Sequence, residues 1–203
     1  MKIETRTEPA KRQNAGPSSA TSIVIRKAGL RDAERMRAMH RLSLRAMGRS
    51  AYSQRQVDGF LRDVETVDEG ILSDGTFFLA EADGGVVASG AWTLRKPAYA
   101  ARLPEAVPGL IEEPRATIRS VFTHPGFVRR GLASAIIRVC EEEAVIREPI
   151  SRIELHATLT AEPLYRGLGY QPQKPMSFPL SNGEHFPAIF MIKSLETARQ
   201  EAA

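Results

Sequence analysis

Apolar positions change their period along the chain, and each change marks an element. Residues 22–28, SIVIRKA, alternate as a half-buried strand does. From Leu30 to Met47 the apolar side chains Met36, Met39, Leu42 and Met47 recur at helical spacing among arginines, with Asp32 where a helix dipole favours a carboxylate. Ser53 to Val64 predicts a second helix with Val57, Phe60, Leu61 and Val64 on one face. Residues 76–95, TFFLAEADGGVVASGAWTLR, then read as two strands joined at Asp83-Gly84-Gly85, a tight turn that needs positive φ.

Prolines at 97, 104, 108 and 114 exclude a regular element through residues 95–114, and a connection of that length in a compact domain is more often functional than idle. Ala116–Thr123 reads as the next strand. Arg129 to Val145 follows as a helix with Leu132, Ala133, Ile136, Ile137, Cys140 and Ala144 on one stripe. Arg152–Ala157 is a strand, Ala161–Arg166 a short helix, Gly169-Tyr170 the start of another strand and Ala188–Lys193 the last one. The order β-α-α-β-β-β-α-β-α-β-β predicts an α/β chain with one mixed sheet and helices on its faces. If the strands at 116 and 152 are parallel neighbours, the helix between them is a right-handed crossover.

Residues 1–21 are polar, carry Pro and Ser and lack apolar periodicity, so they read as a disordered leader before a single folded domain over 22–197 and a short tail, 198–203. The 203 residues, 42% hydrophobic, suffice for one such domain with a core. No window approaches the ~20 apolar residues of a membrane-spanning helix, and the N-terminus lacks the apolar core of a secretory signal. The expectation is a soluble, cytoplasmic protein without a membrane partner. Cys140 is the only cysteine, which excludes an internal disulfide and a four-cysteine zinc site; no metal is expected. The net charge of +4 is modest. Arg31, Arg35, Arg37, Arg41 and Arg45 scatter around their helix without an aromatic platform, so nucleic acid is not an expected partner.

Chemistry concentrates in THPGFVRRGLASAII, residues 123–137. Where a strand turns into a helix, unpaired N–H groups and the helix dipole make an anion site. Gly131, Ala133 and Ser134 would let a phosphate approach the backbone, and Arg129 and Arg130 add charge at the rim. Gly131 would equally ease a turn with no ligand. The stretch is neither a P-loop nor a dinucleotide fingerprint. A second constellation, AEPLYRGLGYQP at 161–172, sets Tyr165 in a short helix that ends at glycines.

With both stretches in order, the chain resembles the GNAT acetyltransferase superfamily. There, an alternating apolar strand ending at Pro precedes a loop of Arg or Gln, two residues, Gly, one residue, then Gly or Ala. Here these are Val121-Phe122-Thr123-His124-Pro125 and Val128-Arg129-Arg130-Gly131-Leu132-Ala133; the family's later Ala-x-x-Leu-Tyr segment matches Ala161 to Tyr170. The resemblance implies the GNAT fold, a largely antiparallel sheet of about seven strands flanked by helices. It implies acetyl-CoA as co-substrate and a small-molecule or peptide amine as acceptor, attacked directly in a ternary complex; a homodimer is compatible with it. Val121, Phe122 and Thr123 would run beside the pantetheine arm, the segment Arg129, Arg130, Gly131, Leu132, Ala133 and Ser134 would hold the pyrophosphate, and Thr158 would bond the arm. Tyr165 would donate a proton to the leaving thiolate, a step worth ~10²–10⁴-fold; the plainer reading makes it a core aromatic.

Three departures stand out. Val128 replaces the opening Arg or Gln, Thr158 an asparagine, and Thr117 the glutamate base of many relatives. Glu112, Glu113, His124, His156 or a water chain would then take the proton. The missing base also supports an alternative, a non-catalytic acyl-CoA-binding sensor or interaction module. The acceptor is expected between residues 30–64 and the 95–114 connection, where Met36, Met39, Met47 and Tyr52 could line a cleft, although methionines at helical spacing read first as core packing. Glu105, Glu112 and Glu113 would attract a cation, and Glu81 is expected to face solvent.

Overall fold

The computed structural model describes residues 22–47, 50–95 and 114–195. The expected leader, the tail, most of the proline-rich connection and its Glu105, Glu112 and Glu113 lie outside them. The strands are β1 (Ile23–Lys27), β2 (Phe77–Ala82), β3 (Gly85–Thr93), β4 (Arg115–Thr123), β5 (Arg152–Thr158), β6 (Gln171–Pro179) and β7 (His185–Ser194). The helices are α1 (Ala33–Met47), α2 (Gln54–Asp63), α3 (Glu69–Asp74), α4 (Leu132–Arg147) and α5 (Glu162–Gly167). One seven-stranded sheet runs β1-β2-β3-β4-β5-β7-β6, antiparallel except at β4–β5. The fold is therefore the mixed, mostly antiparallel one that the sequence predicts.

Local chemistry explains the boundaries. Ser53 caps α2, its hydroxyl accepting from Gln56 N while Gln56 Oε1 accepts from Ser53 N, a reciprocal capping box. The β2–β3 hairpin turns at Asp83 (φ 48) and Gly84 (φ 74). Among the described α-helices, α3 alone is unanticipated. Its six residues are too short for a periodic signal, yet Asp68 caps it from Gly70 N and Ile71 N, and Gly75 ends it at φ 67. Helix α4 starts at Leu132, three residues later than expected, because Arg129 (φ 60) and Gly131 (φ 77) leave the helical region.

Layering follows side-chain parity. Ile153, Leu155 and Ala157 on β5 and Ala116 and Ile118 on β4 pack with Leu132, Ile136, Ile137, Cys140 and Ala144 of α4. Met36 and Met39 of α1 are core, packed with Phe77, Leu79 and Ala91 on the opposite face. This is the core reading preferred for them over a place in the cleft; the Met47 side chain is not among those described. Leu44, Tyr52, Val57, Phe178, Phe186 and Ala188 form a third cluster between the α1–α2 pair and the β6–β7 hairpin. That hairpin's tip grips α2, with Asn182 Nδ2 donating to Arg55 O at 2.8 Å. Glu81 does not simply face solvent: it pairs with Arg26 at 3.1 Å and Arg35 at 2.6 Å, joining β2 to β1 and α1.

Two irregularities in the sheet's middle position the site. The parallel β4–β5 pairing covers only Arg115↔Arg152, Ala116↔Ile153 and Thr117↔Glu154, after which the strands separate. On its other side β4 carries an extra residue against β3, a bulge at Ser120, whose φ is 56. Gly90 lies opposite that bulge, and a Cβ there would meet Ile136 Cγ2 at 2.5 Å. Glycine therefore lets α4 seat directly on the sheet. Prolines 172, 175 and 179 occupy β6, an edge strand that tolerates lost donors. Among the described residues, no helix is long and apolar enough to cross a membrane.

Candidate functional site

A cleft of about 680 Å³ opens where β4 and β5 part. Val121, Phe122 and Thr123 line it from β4, Thr158 from the end of β5, Gly131, Leu132, Ala133 and Ser134 from the start of α4, and Tyr165 from α5, with Arg129 at its margin. Residues separated by more than forty positions in sequence thus share one cavity. Arg130 is the exception among the residues expected to hold the co-substrate: it is exposed, and its guanidinium lies over the Phe127 ring at 4.8 Å.

Each wall has a different chemistry. Beyond Thr117, the β4 edge facing β5 has no strand partner, so its peptide groups are open to one from outside. At the start of α4 no side chain caps the helix, so its first-turn N–H groups and the positive end of its dipole lie uncapped where Gly131 to Ser134 border the cleft. Gly131 holds the left-handed φ that turns the chain into the helix; a Cβ there would meet nothing within 4 Å, so glycine is required by conformation and not by crowding. Tyr165 is buried, edge-on to Tyr170 with ring centroids 5.7 Å apart, and also lines the cleft. Tyr170 itself donates to Glu141 at 2.7 Å, and Glu141 pairs with Lys193 at 2.7 Å, which fixes the aromatic behind Tyr165. Thr158 Oγ1 lies 3.3 Å from Thr160 Oγ1.

The candidate bases divide. His124 does not line the cleft: its Nδ1 accepts from Gly126 N at 3.1 Å and shapes the turn. His156 does line it, between the Phe178 and Phe190 rings at 5.6 and 5.3 Å, and burial lowers its pKa to about 4. It is a neutral imidazole at pH 7. Thr117, buried, hydrogen-bonds weakly across to Glu154 at 3.5 Å, and Glu154 is held by Arg115 at 2.9 Å, so no free carboxylate replaces the absent glutamate there. Glu65, at the cleft mouth, has a largely exposed side chain; it lies outside any motif and carries no sequence signal. Cys140 is fully buried, and burial raises its thiol pKa well above normal, which removes it as a nucleophile.

A polar relay behind β4 was equally invisible in the sequence. Ser89 Oγ donates to Ser120 O at 3.1 Å, spending its one proton on the carbonyl of the bulge. His40 Nε2, 2.7 Å from Ser89 Oγ, is then the donor, and Nδ1 carries the lone pair. His40 is fully buried, stacked on Phe122 with centroids 4.1 Å apart, and Nδ1 has no hydrogen-bond partner. This relay holds the bulge from α1. Burial lowers the His40 pKa to about 3.

A family model described as an acetyltransferase (GNAT) domain matches residues 73–172. Among curated protein sequences, none matches this chain. Solved structures share the fold. A GCN5-related N-acetyltransferase from Rhodopseudomonas palustris is 19% identical with a TM-score of 0.64, over 88% of this chain and 99% of that one. The PaiA N-acetyltransferase of Thermoplasma acidophilum, in complex with coenzyme A, is 15% identical with a TM-score of 0.59, over 85% and 99%. A GNAT family acetyltransferase from Brucella melitensis, in complex with acetyl-CoA, is 16% identical with a TM-score of 0.52, over 86% and 89%.

The buried histidines set an acid limit on stability. Both native pKa values lie below the ordinary ~6.5, so the unfolded chain binds protons that the native chain refuses. That stability is present above pH 6.5 and lost as pH falls toward 4. At pH 5 each histidine withdraws about 2 kcal/mol. Thermal midpoints should therefore be level above pH 7 and fall steeply between pH 6.5 and 4. His40→Gln, without the titrating group, should melt lower at pH 7.5 yet lose less on going to pH 5; an equal loss would show that His40 does not govern this window.

Proposed function

Because the chain belongs to the GNAT acetyltransferase superfamily, we propose that it transfers the acetyl group of acetyl-CoA to a primary amine of a small molecule or peptide, by direct attack in a ternary complex. The observation that carries this reading is the meeting of three features in one cleft: an open β4 edge, an uncapped α4 N-terminus and Tyr165.

Their chemistry fits the co-substrate. The peptide groups of Val121 and Thr123 would hydrogen-bond a pantetheine arm as an added strand, while Phe122, turned to the other face, would close the cleft beneath the acetyl group. N–H groups from Gly131 to Ser134 would receive the pyrophosphate, with Arg129 and Arg130 supplying diffuse charge from the rim. Thr158 would bond the arm from β5. Bound acetyl-CoA supplies a thioester carbonyl open to attack and a thiolate as leaving group. Tyr165 would hold its hydroxyl toward that sulfur and give it a proton.

The attacking nitrogen must arrive unprotonated. His156, with its pKa lowered to about 4, is too weak a base to hold an ammonium proton. In this reading the proton leaves through water at the mouth, past Glu65, and His156 serves as a neutral hydrogen-bonding surface. The threonine at position 117 is the observation that favours the second reading, an acyl-CoA-binding module without turnover.

Titration calorimetry with acetyl-CoA should show binding near micromolar concentrations; none would overturn the cofactor assignment. In the same assay Gly131→Val, which forces a β-branched residue to φ 77, should weaken binding by at least tenfold, and Arg129→Ala by only a fewfold. The reverse ranking would mean that side-chain charge, not backbone, holds the phosphates. Tyr165→Phe should lower kcat about 10²-fold or more while the acetyl-CoA Kd stays within twofold. Unchanged turnover would remove the hydroxyl from the reaction, and tight acetyl-CoA binding without transfer to any amine would favour the module.

A further inference from the structure

The two walls of the cleft differ in composition. On the α4 side lie the small residues and backbone groups already assigned. On the α1–α2 side the cleft meets Tyr52, Phe60, Phe122, Phe178 and Phe186, so four of the chain's eight phenylalanines converge there. Their rings are fixed against one another. Tyr52 and Phe186 stack with centroids 4.1 Å apart and planes 5° off parallel, and Phe60 tilts onto Phe186 at 4.4 Å. Tyr52 is pinned at its far end, its hydroxyl donating to Pro187 O at 2.9 Å and accepting from Leu159 N at 2.8 Å. The wall is preformed rather than assembled by a ligand, so ordering it costs a ligand little.

Charge on this side is sparse. Among the described residues lining the cleft, Glu65 is the one carboxylate, and it sits at the exposed mouth. Arg119 is engaged with Asp68 at 3.4 Å and Glu65 O at 3.1 Å. A ligand carrying several cationic groups would have to bury them against phenyl rings and a neutral imidazole without a carboxylate to pair them. One polar atom on this wall is unspent: Ser43 Oγ, fully buried and without a hydrogen-bond partner. It would suit a ligand that is apolar over most of its surface and carries one hydroxyl or ring N–H.

Resting on the acetyltransfer reading, we propose that the acceptor is an arylalkylamine, a primary amine on a short chain attached to an aromatic ring, and that Tyr52, Phe60, Phe122, Phe178 and Phe186 receive the ring. The amine then projects toward the gap between β4 and β5, and Ser43 discriminates rings bearing a polar substituent. Stacking against fixed rings supplies about tenfold or more in affinity over an aliphatic chain of equal length.

The test measures thiol release from acetyl-CoA by the purified full chain with phenethylamine, tyramine, tryptamine, putrescine, spermidine, kanamycin and a short peptide with a free N-terminus. Arylalkylamines should exceed the others at least tenfold in kcat/KM, with tyramine above phenethylamine. Phe60→Ala should raise the KM for tyramine about tenfold without moving the acetyl-CoA Kd; where that variant fails to fold, Phe60→Leu should raise it about threefold. Ser43→Ala should erase the preference for tyramine over phenethylamine. Preference for a polyamine, the aminoglycoside or the peptide, acetyl-CoA binding with no amine acetylated, or an unmoved tyramine KM in the Phe60 variant would each overturn the proposal. In those cases acetyl-CoA binding shows that the cofactor reading survives, whereas its absence defeats that reading first.

Discussion

The separation of β4 from β5 after three residue pairs governs this protein. Parallel strands normally exchange hydrogen bonds along their length, and stopping early leaves a row of peptide N–H and C=O groups without partners. An open edge inside a sheet is a cost unless water or a ligand meets it. Here the parting is enforced from both sides. The bulge at Ser120 turns β4 away, held through Ser89 by His40, and α4 is seated tightly on Gly90 where the bulge begins. Beyond the gap β5 continues in register with β7 from Arg152 to Thr158, so it cannot follow β4. The gap is a product of the core and not of loop flexibility.

The same constraint aligns the chemistry. Crossing from β4 to β5 requires α4 to begin at the upper end of the gap, which brings a helix N-terminus to one end of the open edge. The return through α5 brings Tyr165 to the other wall. Behind them, Tyr170, Glu141 and Lys193 form a partly buried polar network that fixes the tyrosine's surroundings. On the opposite face, α2 and the β6–β7 hairpin enclose an aromatic wall whose rings support one another. Backbone polarity lines one side of the cleft and ring surface the other.

Much of this was legible in the residues. Short apolar runs marked the strands except β6, of which only the start at Gly169-Tyr170 was legible, and Asp83-Gly84, Gly131 and Gly169 marked turns that the structure places at positive φ. The two motifs at 121–134 and 161–170 were legible because they rest on backbone turns and short-range order, which sequence spacing records, and both border the cleft. The aromatic wall was legible only at Tyr52. Phe60, Phe122, Phe178 and Phe186 come from α2, β4, β6 and β7, and nothing in the spacing of a phenylalanine says which face of a sheet it will occupy. The methionines of α1 were legible as core, because an apolar stripe at helical spacing reports burial. The His40–Ser89–Ser120 relay joins residues 31 and 49 positions apart, and only the bulge reveals it.

Amide hydrogen exchange across the β4 edge tests the central claim most directly. On adding acetyl-CoA to the purified protein, the N–H groups within Val121–Thr123 and Leu132–Ser134 should slow together by at least tenfold, while those of β1 and β6 at the sheet's edges stay unchanged. Exchange at the β4 edge and the α4 N-terminus that is indifferent to acetyl-CoA, or protection confined to another face of the sheet, would contradict the account.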